Sequence, residues 1–188
     1  MIHLIIGRQG SGKTLFLVKV AKEYIAKGQT VYSNVHLVGI DYTPLDYNDI
    51  IECRLNNGVV LIDEIHLLLG ARSSMRKTNR LICDGFLSMV RKKGLEVYGT
   101  TQTLRKVDIR FREEMDYFYE CSKFAFVNGV WCKPLHNDSL NPLVPVLIKL
   151  EVIEMYKLDR LDFNFFGNDL FNFYDSNQII KIKGLEDD

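Results

Sequence analysis

The feature that most constrains this chain is a glycine-rich octapeptide, GRQGSGKT, that spans Gly7 to Thr14. It follows the apolar run IHLII and precedes TLFLVKVAKEYIAKG, in which apolar side chains recur at helical spacing. The apolar run predicts a buried strand, and the second segment predicts a helix that stops at Gly28. A strand, a glycine-rich loop and a helix in this order are typical of a phosphate-binding loop, because backbone N–H groups and a helix amino terminus bind phosphates there.

The spacing Gly-x4-Gly-Lys-Thr gives the positions of this loop different roles. Glycines allow backbone conformations closed to other residues and let a ligand approach the main chain. Lys13 is predicted to reach the β- and γ-phosphates, and the Thr14 hydroxyl to bind Mg²⁺. We therefore expect ATP and Mg²⁺ to be bound by the whole octapeptide, which consists of Gly7, Arg8, Gln9, Gly10, Ser11, Gly12, Lys13 and Thr14. A purely structural glycine turn is the alternative, and the match at every fixed position argues against it.

Length and composition predict one domain over residues 1–188, and the glycine-rich loop makes it a predicted P-loop ATPase domain. Its core is expected at about 1–127, with an extension of strands and helices at about 128–188. The 24 basic and 24 acidic residues balance, so the net charge does not indicate a partner. The four cysteines lie far apart without a C-x-x-C pair, which favours reduced thiols over disulfides or a zinc site.

The order of apolar segments predicts an α/β fold. Strands are expected at 2–6, 30–35, 59–62 and 95–102, with a short helix around 46–53 and a longer one that ends at Gly94. Strands that alternate with helices form a parallel sheet with right-handed crossovers. The expected core face of the longer helix consists of Leu81, Ile82, Gly85, Phe86, Met89 and Val90.

Two later segments predict additional strands. Residues 116–127 are expected to form a strand or a hairpin, and 144–158 a long alternating strand. Because these later strands lack intervening helices, we expect an antiparallel extension at one edge of the sheet. The aromatic segment 163–175 is predicted to belong to the core, with a subunit or capsid contact as the alternative.

Two carboxylates follow the apolar run VVLI directly, at Asp63 and Glu64. In a parallel sheet, ligands bind beyond the carboxyl ends of the strands, which places both residues beside the phosphates. Asp63 is predicted to hold Mg²⁺ through water, as a Walker-B aspartate does. Glu64 is predicted to be the general base that takes a proton from the attacking water. The alternative is a polar end to a strand at the surface.

Two further polar residues near strand ends are candidates for a role in the site. Gln102 closes the strand 95–102 and is predicted to position water or sense hydrolysis, and strand-end capping is its alternative. His66 follows the two carboxylates. Metal ligation by His66 is not favoured, since no second ligand lies at helical or strand spacing.

Three blocks of sequence resemble one family of ATPases. In this order, GRQGSGKT (7–14), VVLIDEIH (59–66) and RKKGLEVYGTTQTLRKVDIRFR (91–112) look like the FtsK/HerA-type DNA-pumping ATPases. The third block distinguishes this family best, because an arginine and a glycine precede a strand that ends in threonine and glutamine. The short chain resembles the genome-packaging ATPases of tailless, membrane-containing bacterial and archaeal viruses. NFYDSNQII (172–180) is similar to a segment near the end of small viral members.

The resemblance covers roughly residues 1–120 and implies the following expectations. The fold is RecA-like, with a mostly parallel sheet flanked by helices. Subunits form a pentameric or hexameric ring that moves double-stranded DNA into a preformed capsid, with a capsid vertex or membrane protein as a further partner. An arginine finger reaches the neighbouring site, with Arg91 favoured and Arg110 and Arg112 as alternatives. Full FtsK and HerA translocases carry additional DNA-binding, guiding or membrane domains, for which this chain lacks room.

Residues 72–112 hold 11 basic and three acidic side chains, which is a pattern typical of a phosphate-binding surface or of a solvated helix face. The candidate DNA contacts are Arg72, Arg76, Lys77 and Arg80. The expected location is the cytoplasm of an infected host or a virion vertex, because the sequence predicts neither a signal peptide nor a membrane span.

Three other functions compete with DNA packaging. The first is a filamentous-phage assembly ATPase similar to zonula occludens toxin, although such proteins usually carry a transmembrane segment. The second is a small-molecule or nucleotide kinase, which would need a substrate lid and usually lacks the Glu64/Gln102 pair. The third is a nucleotide-gated interaction protein without turnover, against which Glu64 argues.

Overall fold

A nine-stranded sheet organises the computed structural model, which describes residues 1–70, 81–133, 144–155 and 160–175. The strands are β1 (Ile2–Ile6), β2 (Thr30–Ser33), β3 (Thr43–Pro44), β4 (Gly58–Ile62), β5 (Leu95–Thr101), β6 (Tyr117–Val127), β7 (Val130–Cys132), β8 (Val146–Glu154) and β9 (Arg160–Phe166). The α-helices are α1 (Lys13–Ala26), α2 (Tyr47–Ile51) and α3 (Ile109–Glu114). A π-helix spans Leu81–Leu87, and 3₁₀ turns span Ile65–Leu67, Leu104–Lys106 and Asn168–Phe173.

The strand order determines which strand ends lie next to each other. The order is β3-β2-β4-β5-β1-β6-β8-β9, with β7 paired to β6. The pairs from β3 to β6 in this order are parallel, and β6–β8, β8–β9 and β6–β7 are antiparallel. Strand β5 therefore lies between β1, which leads into the glycine-rich loop, and β4, which leads into Asp63.

This topology confirms the predicted α/β fold, with a mostly parallel sheet and antiparallel strands at one edge. The expectation that every strand after β5 would be antiparallel is wrong for β6, which pairs parallel with β1. The reason is that a 3₁₀ turn and the six-residue α3 form a crossover between β5 and β6. Segment 117–127 is one strand rather than a hairpin, and the two-residue β3 was not predicted.

Two apolar clusters cover the two faces of the sheet. On one face lies α1, in which the recurring apolar residues Leu17, Val18, Ala21 and Tyr24 are buried and Ile25 is partly buried. On the other face lies the second long predicted helix, whose described part starts with the π-helix Leu81–Leu87. Its wider turn also buries Leu87, which the 3.6-residue period missed. Gly28 closes the turn that follows α1, as predicted, with a positive φ angle of 69°. The second long helix ends at Met89, earlier than predicted, and Gly94, with a φ angle of 61°, closes the turn that follows it.

The prediction that the aromatic segment 163–175 belongs to the core is wrong for two phenylalanines. Phe163 is 40% exposed and Phe166 is 60% exposed, because both lie on β9 at the edge of the sheet. The same segment then turns back onto α1 and buries Leu170. No helix in the described ranges has the length and apolar character that crossing a bilayer requires.

Candidate active site

The loop after β1 needs its glycines for geometric reasons. Gly10 and Gly12 have positive φ angles of 73° and 99°, a region that favours glycine. A Cβ atom at Gly12 would collide with Cδ1 of Ile148, which belongs to the antiparallel extension. A Cβ atom at Gly7 would lie 2.6 Å from the carbonyl oxygen of Cys121. Strands β6 and β8 therefore pack directly against the loop, and a side chain at Gly7 or Gly12 would collide with them.

Lys13 lies folded over this loop. Its side chain is buried, and Nζ donates to the carbonyl oxygens of Gly7 at 3.0 Å and Arg8 at 3.2 Å. The Ser11 hydroxyl is buried and makes no hydrogen bond within the described residues. A buried ammonium beside an unsatisfied hydroxyl suits an anion with several acceptor oxygens, as a triphosphate has. These groups fit the predicted phosphate site.

The predicted metal-binding side chains are in direct contact. The Thr14 hydroxyl donates to Oδ2 of Asp63 at 2.8 Å, although the two residues lie on different elements. Asp63 is 6% exposed, and its Oδ1 accepts from the Thr100 hydroxyl. A hydroxyl oxygen and a carboxylate are the hard ligands that Mg²⁺ prefers, alongside substrate phosphates and water. This donor pair therefore fits Mg²⁺. The described residues contain no cluster of three or more His, Cys, Asp or Glu side chains that could hold a metal.

Sequence reasoning missed two residues that hold Asp63 in place. Asn34, just after β2, accepts from the Asp63 backbone N–H at 2.7 Å and donates its Nδ2 to the Asp63 carbonyl at 2.9 Å. Thr100, on β5, is fully buried and reaches the carboxylate itself. The sequence signal that could have identified them is a polar residue near the carboxyl end of each strand next to β4. Asp63 is thus fixed from both adjacent strands.

Glu64 adopts an unusual backbone conformation. Its φ and ψ angles are 51° and 52°, a left-handed region that non-glycine residues rarely occupy and that is often found at functional sites. The conformation is held by its N–H, which donates to the Thr100 hydroxyl at 3.1 Å and lies 3.2 Å from Oδ1 of Asp63. Oε2 of Glu64 lies 3.1 Å from Nδ1 of His66. Burial lowers the pKa of His66, and the negative charge of Glu64 opposes this only partly.

Gln102 lies one residue beyond β5, but its side chain is exposed and accepts a hydrogen bond from Lys106 Nζ at 3.2 Å. The β5 residue that reaches the site is Thr100, two positions earlier, which donates to the Asp63 carboxylate and accepts from the Glu64 backbone N–H. Gln102 lies beyond the last residue of β5, Thr101, so the pleat of the strand no longer sets the direction of its side chain. The sensor role of Gln102 stays a prediction.

The three candidate finger arginines lie in different environments. Arg91 lies near the amino-terminal edge of the sheet, where it pairs with Asp116, the acceptor of the Ile2 N–H. This is the edge opposite the glycine-rich loop. Arg110 forms a two-pronged contact with the fully buried Asp108. Arg112 carries a buried Nε without a hydrogen bond in the described part of the chain. Their roles in a neighbouring site stay predictions.

The four predicted DNA contacts lie outside the described residues; they are Arg72, Arg76, Lys77 and Arg80. Parts of the predicted extension, at 134–143, 156–159 and 176–188, also lie outside the described residues.

Comparisons with known proteins agree with this fold. The N-terminal domain of zonular occludens toxin from Neisseria meningitidis is similar in structure, with a TM-score of 0.60 and 17% identity, over 93% of this chain and 98% of that one. The genome packaging NTPase B204 of Sulfolobus turreted icosahedral virus 2, in complex with ATP-γS, is also similar in structure. Its TM-score is 0.54 and its sequence identity 15%, over 86% of this chain and 95% of that one. At these identities the likeness establishes the fold.

The family comparison rests on the sequence instead. No curated protein matches the chain. A model of the ATPase family associated with various cellular activities (AAA) matches residues 3–123, which is well over half of the chain and contains the glycine-rich loop, Asp63, Glu64 and Thr100. The chain is therefore a member of the AAA family of P-loop ATPases.

Proposed function

We propose that this chain is an ATP-hydrolysing motor that moves double-stranded DNA, and that its task is to package a viral genome into a preformed capsid. The observation that supports hydrolysis best is the contact between Thr14 and Asp63 at 2.8 Å, which joins the phosphate loop to the carboxylates. Thr100 extends this contact to the Glu64 backbone. A site for binding alone would not need a second carboxylate held in this way.

The residues of the site divide the work of hydrolysis. The loop N–H groups and Lys13 bind the phosphates and stabilise the charge that develops on the γ-phosphoryl group. Thr14 and Asp63 would hold Mg²⁺, which supplies charge neutralisation at the phosphates when bound. Glu64 accepts the proton of the attacking water. Gln102 is proposed to position that water, which requires its side chain to leave Lys106.

Support for DNA as the cargo comes from two sources. The structural neighbour B204 is a genome packaging NTPase, and it has the same fold over 86% of this chain. Residues 72–112 carry 11 basic side chains against Asp84, Glu96 and Asp108. A motor that moves any sequence needs contacts with the phosphate backbone, which lysine and arginine provide.

The second candidate function is that of a phage assembly or export ATPase. It is favoured by the structural match to the zonular occludens toxin domain, which covers more of this chain at a higher TM-score than B204 does. Both candidates need the same ATPase site. They differ in the cargo, and DNA dependence separates them.

Linear duplex DNA is expected to stimulate ATP hydrolysis, because a motor couples turnover to its cargo. The measurement is steady-state phosphate release at fixed ATP, with duplexes of increasing length at low and moderate salt. We expect stimulation that grows with length and declines with salt, since phosphate contacts release counterions. Turnover that no duplex alters would contradict the DNA motor and favour the export ATPase. Phosphate transfer to a small acceptor would indicate a kinase.

The active form is proposed to be a ring, because a domain this small encloses no channel for DNA and heterologous contacts can close a ring. Arg91 is the first candidate to act across the subunit boundary. Arg91→Ala is expected to bind ATP almost normally and to hydrolyse it about 10³-fold more slowly, the low end of the effect of an arginine finger. Lys92→Ala, which alters the exposed neighbouring cation, is the matched control and should hydrolyse ATP normally.

An experiment that mixes two inactive variants distinguishes a role of Arg91 in the neighbouring site from the effect of losing its ion pair with Asp116. Arg91→Ala and Lys13→Ala subunits are each expected to be inactive, but a mixed ring contains sites that combine an intact loop with an intact finger. Partial recovery of ATPase activity supports the role in trans. Absence of recovery in mixed assemblies confirmed by mass would exclude Arg91, and Arg110 and Arg112 would be tested next. A protein that stays monomeric with ATP and DNA would contradict the ring.

A further inference from the structure

We propose that His66 is a positioning residue that confines the Glu64 carboxylate to the orientation needed for proton abstraction. The inference rests on the proposed hydrolytic function and concerns the same site. Nδ1 of His66 lies 3.1 Å from Oε2 of Glu64, and both side chains are largely shielded from water, at 20% and 24% exposure. Shielding makes such a contact stronger than it would be at the surface.

The backbone contacts of Glu64 leave its carboxylate unconstrained. Its N–H is held by Asp63 and Thr100, but the side chain beyond Cα still has three rotatable bonds. Oε2 is buried and makes no aligned hydrogen bond within the described residues. His66 approaches this oxygen closely and therefore limits where the carboxylate can lie.

The position of His66 is itself fixed by the packing of β5. Thr101, fully buried at the end of β5, places its hydroxyl 3.4 Å from Nδ1 of His66 and the same distance from the Thr103 carbonyl. We infer the tautomer protonated at Nδ1, because the Thr101 hydroxyl then donates to the carbonyl and the ring N–H lies between the Thr101 oxygen and Oε2 of Glu64. The 3₁₀ turn that carries His66 packs through the buried Ile65 onto Gly99, where a Cβ would lie 2.6 Å from Ile65 Cδ1.

The imidazole interacts with Glu64 as a neutral donor rather than as a cation. Burial lowers the pKa of His66, and Lys106 and Lys13 lower it further, against the opposing charges of Glu64 and Asp63. A neutral N–H can orient the carboxylate without forming a full ion pair, which would reduce its basicity. Glu64 thus stays available to accept the proton of water.

The test combines substitutions at both positions in the full chain. His66→Leu is expected to lower kcat roughly tenfold to a hundredfold, the effect of a small misplacement of a catalytic group. The affinity for ATP should stay within about twofold, because His66 touches the base and not the phosphate loop. His66→Asn retains an N–H donor near the position of Nδ1 and should recover most of the rate. His36→Asn, at an exposed histidine outside the site, is the matched control.

A double-mutant cycle separates positioning from a general structural role. In a Glu64→Gln background, His66→Leu should cause no further loss of single-turnover phosphate release, since the base it orients is absent. An equal further loss in that background would overturn the proposal, as would wild-type kcat in His66→Leu. If His66→Leu does not fold, His66→Asn and His66→Gln are compared instead, and equal rates in these two variants and in wild type would overturn it. Absence of hydrolysis in the wild-type protein would instead contradict the proposed function.

Discussion

Lys13→Ala is expected to abolish ATP hydrolysis and to weaken ATP binding by about 10- to 100-fold, the equivalent of one or two hydrogen bonds to a charged group. Lys13 is the buried cation of the loop, and its Nζ lies against the carbonyl oxygens of Gly7 and Arg8. Alanine removes the cation that meets the β- and γ-phosphates and leaves these two carbonyl groups without their donor. Both changes disfavour the bound triphosphate.

The measurement for Lys13→Ala is phosphate release together with equilibrium binding of a fluorescent ATP analogue. Lys22→Ala is the matched control, since it removes an exposed lysine from the same helix, where the ammonium lies over the Phe173 ring. It should leave both binding and hydrolysis unchanged. Wild-type turnover in Lys13→Ala would rule out a catalytic phosphate loop at residues 7–14.

Glu64→Gln is expected to lower kcat by about a hundredfold or more, the usual contribution of a positioned general base, while ATP affinity changes little. The amide has nearly the shape of the carboxylate but cannot accept the proton of water. The backbone contacts that hold residue 64 come from Asp63 and Thr100 and do not involve the side chain that is changed. The variant should therefore trap ATP in an assembled site.

The measurement for Glu64→Gln is the ratio of bound ATP to bound ADP after incubation, together with kcat and the melting temperature. Glu113→Gln, at an exposed glutamate on α3, is the matched control and should hydrolyse ATP at the wild-type rate. If ATP binding collapsed in Glu64→Gln while turnover per bound ATP persisted, the residue would be structural and not the base.

Contiguous motifs could be predicted from the sequence, because their geometry is local. The loop 7–14 and its flanking strand and helix need only neighbouring residues, and the glycine positions follow from backbone conformation. The placement of Asp63 after a buried strand is equally local. The AAA family match confirms the phosphate-binding class of the chain that these motifs predict.

Contacts that depend on strand order could not be predicted. Thr100 reaches Asp63 because β5 lies between β1 and β4, and Asn34 reaches it because β2 lies on the other side. The strand order cannot be read from the sequence, because it depends on how the connections cross over the folded sheet. The same limit explains why the contact of Ile148 with the glycine-rich loop was missed, since β8 follows the loop by more than a hundred residues.

Charge patterns were the least informative guide. Arg91 and Arg110 both lie in the basic stretch 72–112, but in the structure each has a buried aspartate as a partner. An arginine paired with a buried aspartate and an arginine that reaches a neighbouring subunit look alike in sequence. Only the mixing experiment decides between these roles.

The most direct test of the account is phosphate release from ATP by the purified wild-type protein, measured with and without Mg²⁺. We expect turnover that requires Mg²⁺ and disappears on chelation, because Thr14 and Asp63 are in contact and offer oxygen ligands only. Addition of excess Mg²⁺ should restore the rate. Binding of ATP without any phosphate release, at all Mg²⁺ concentrations and with duplex DNA present, would contradict the claim that this site hydrolyses ATP.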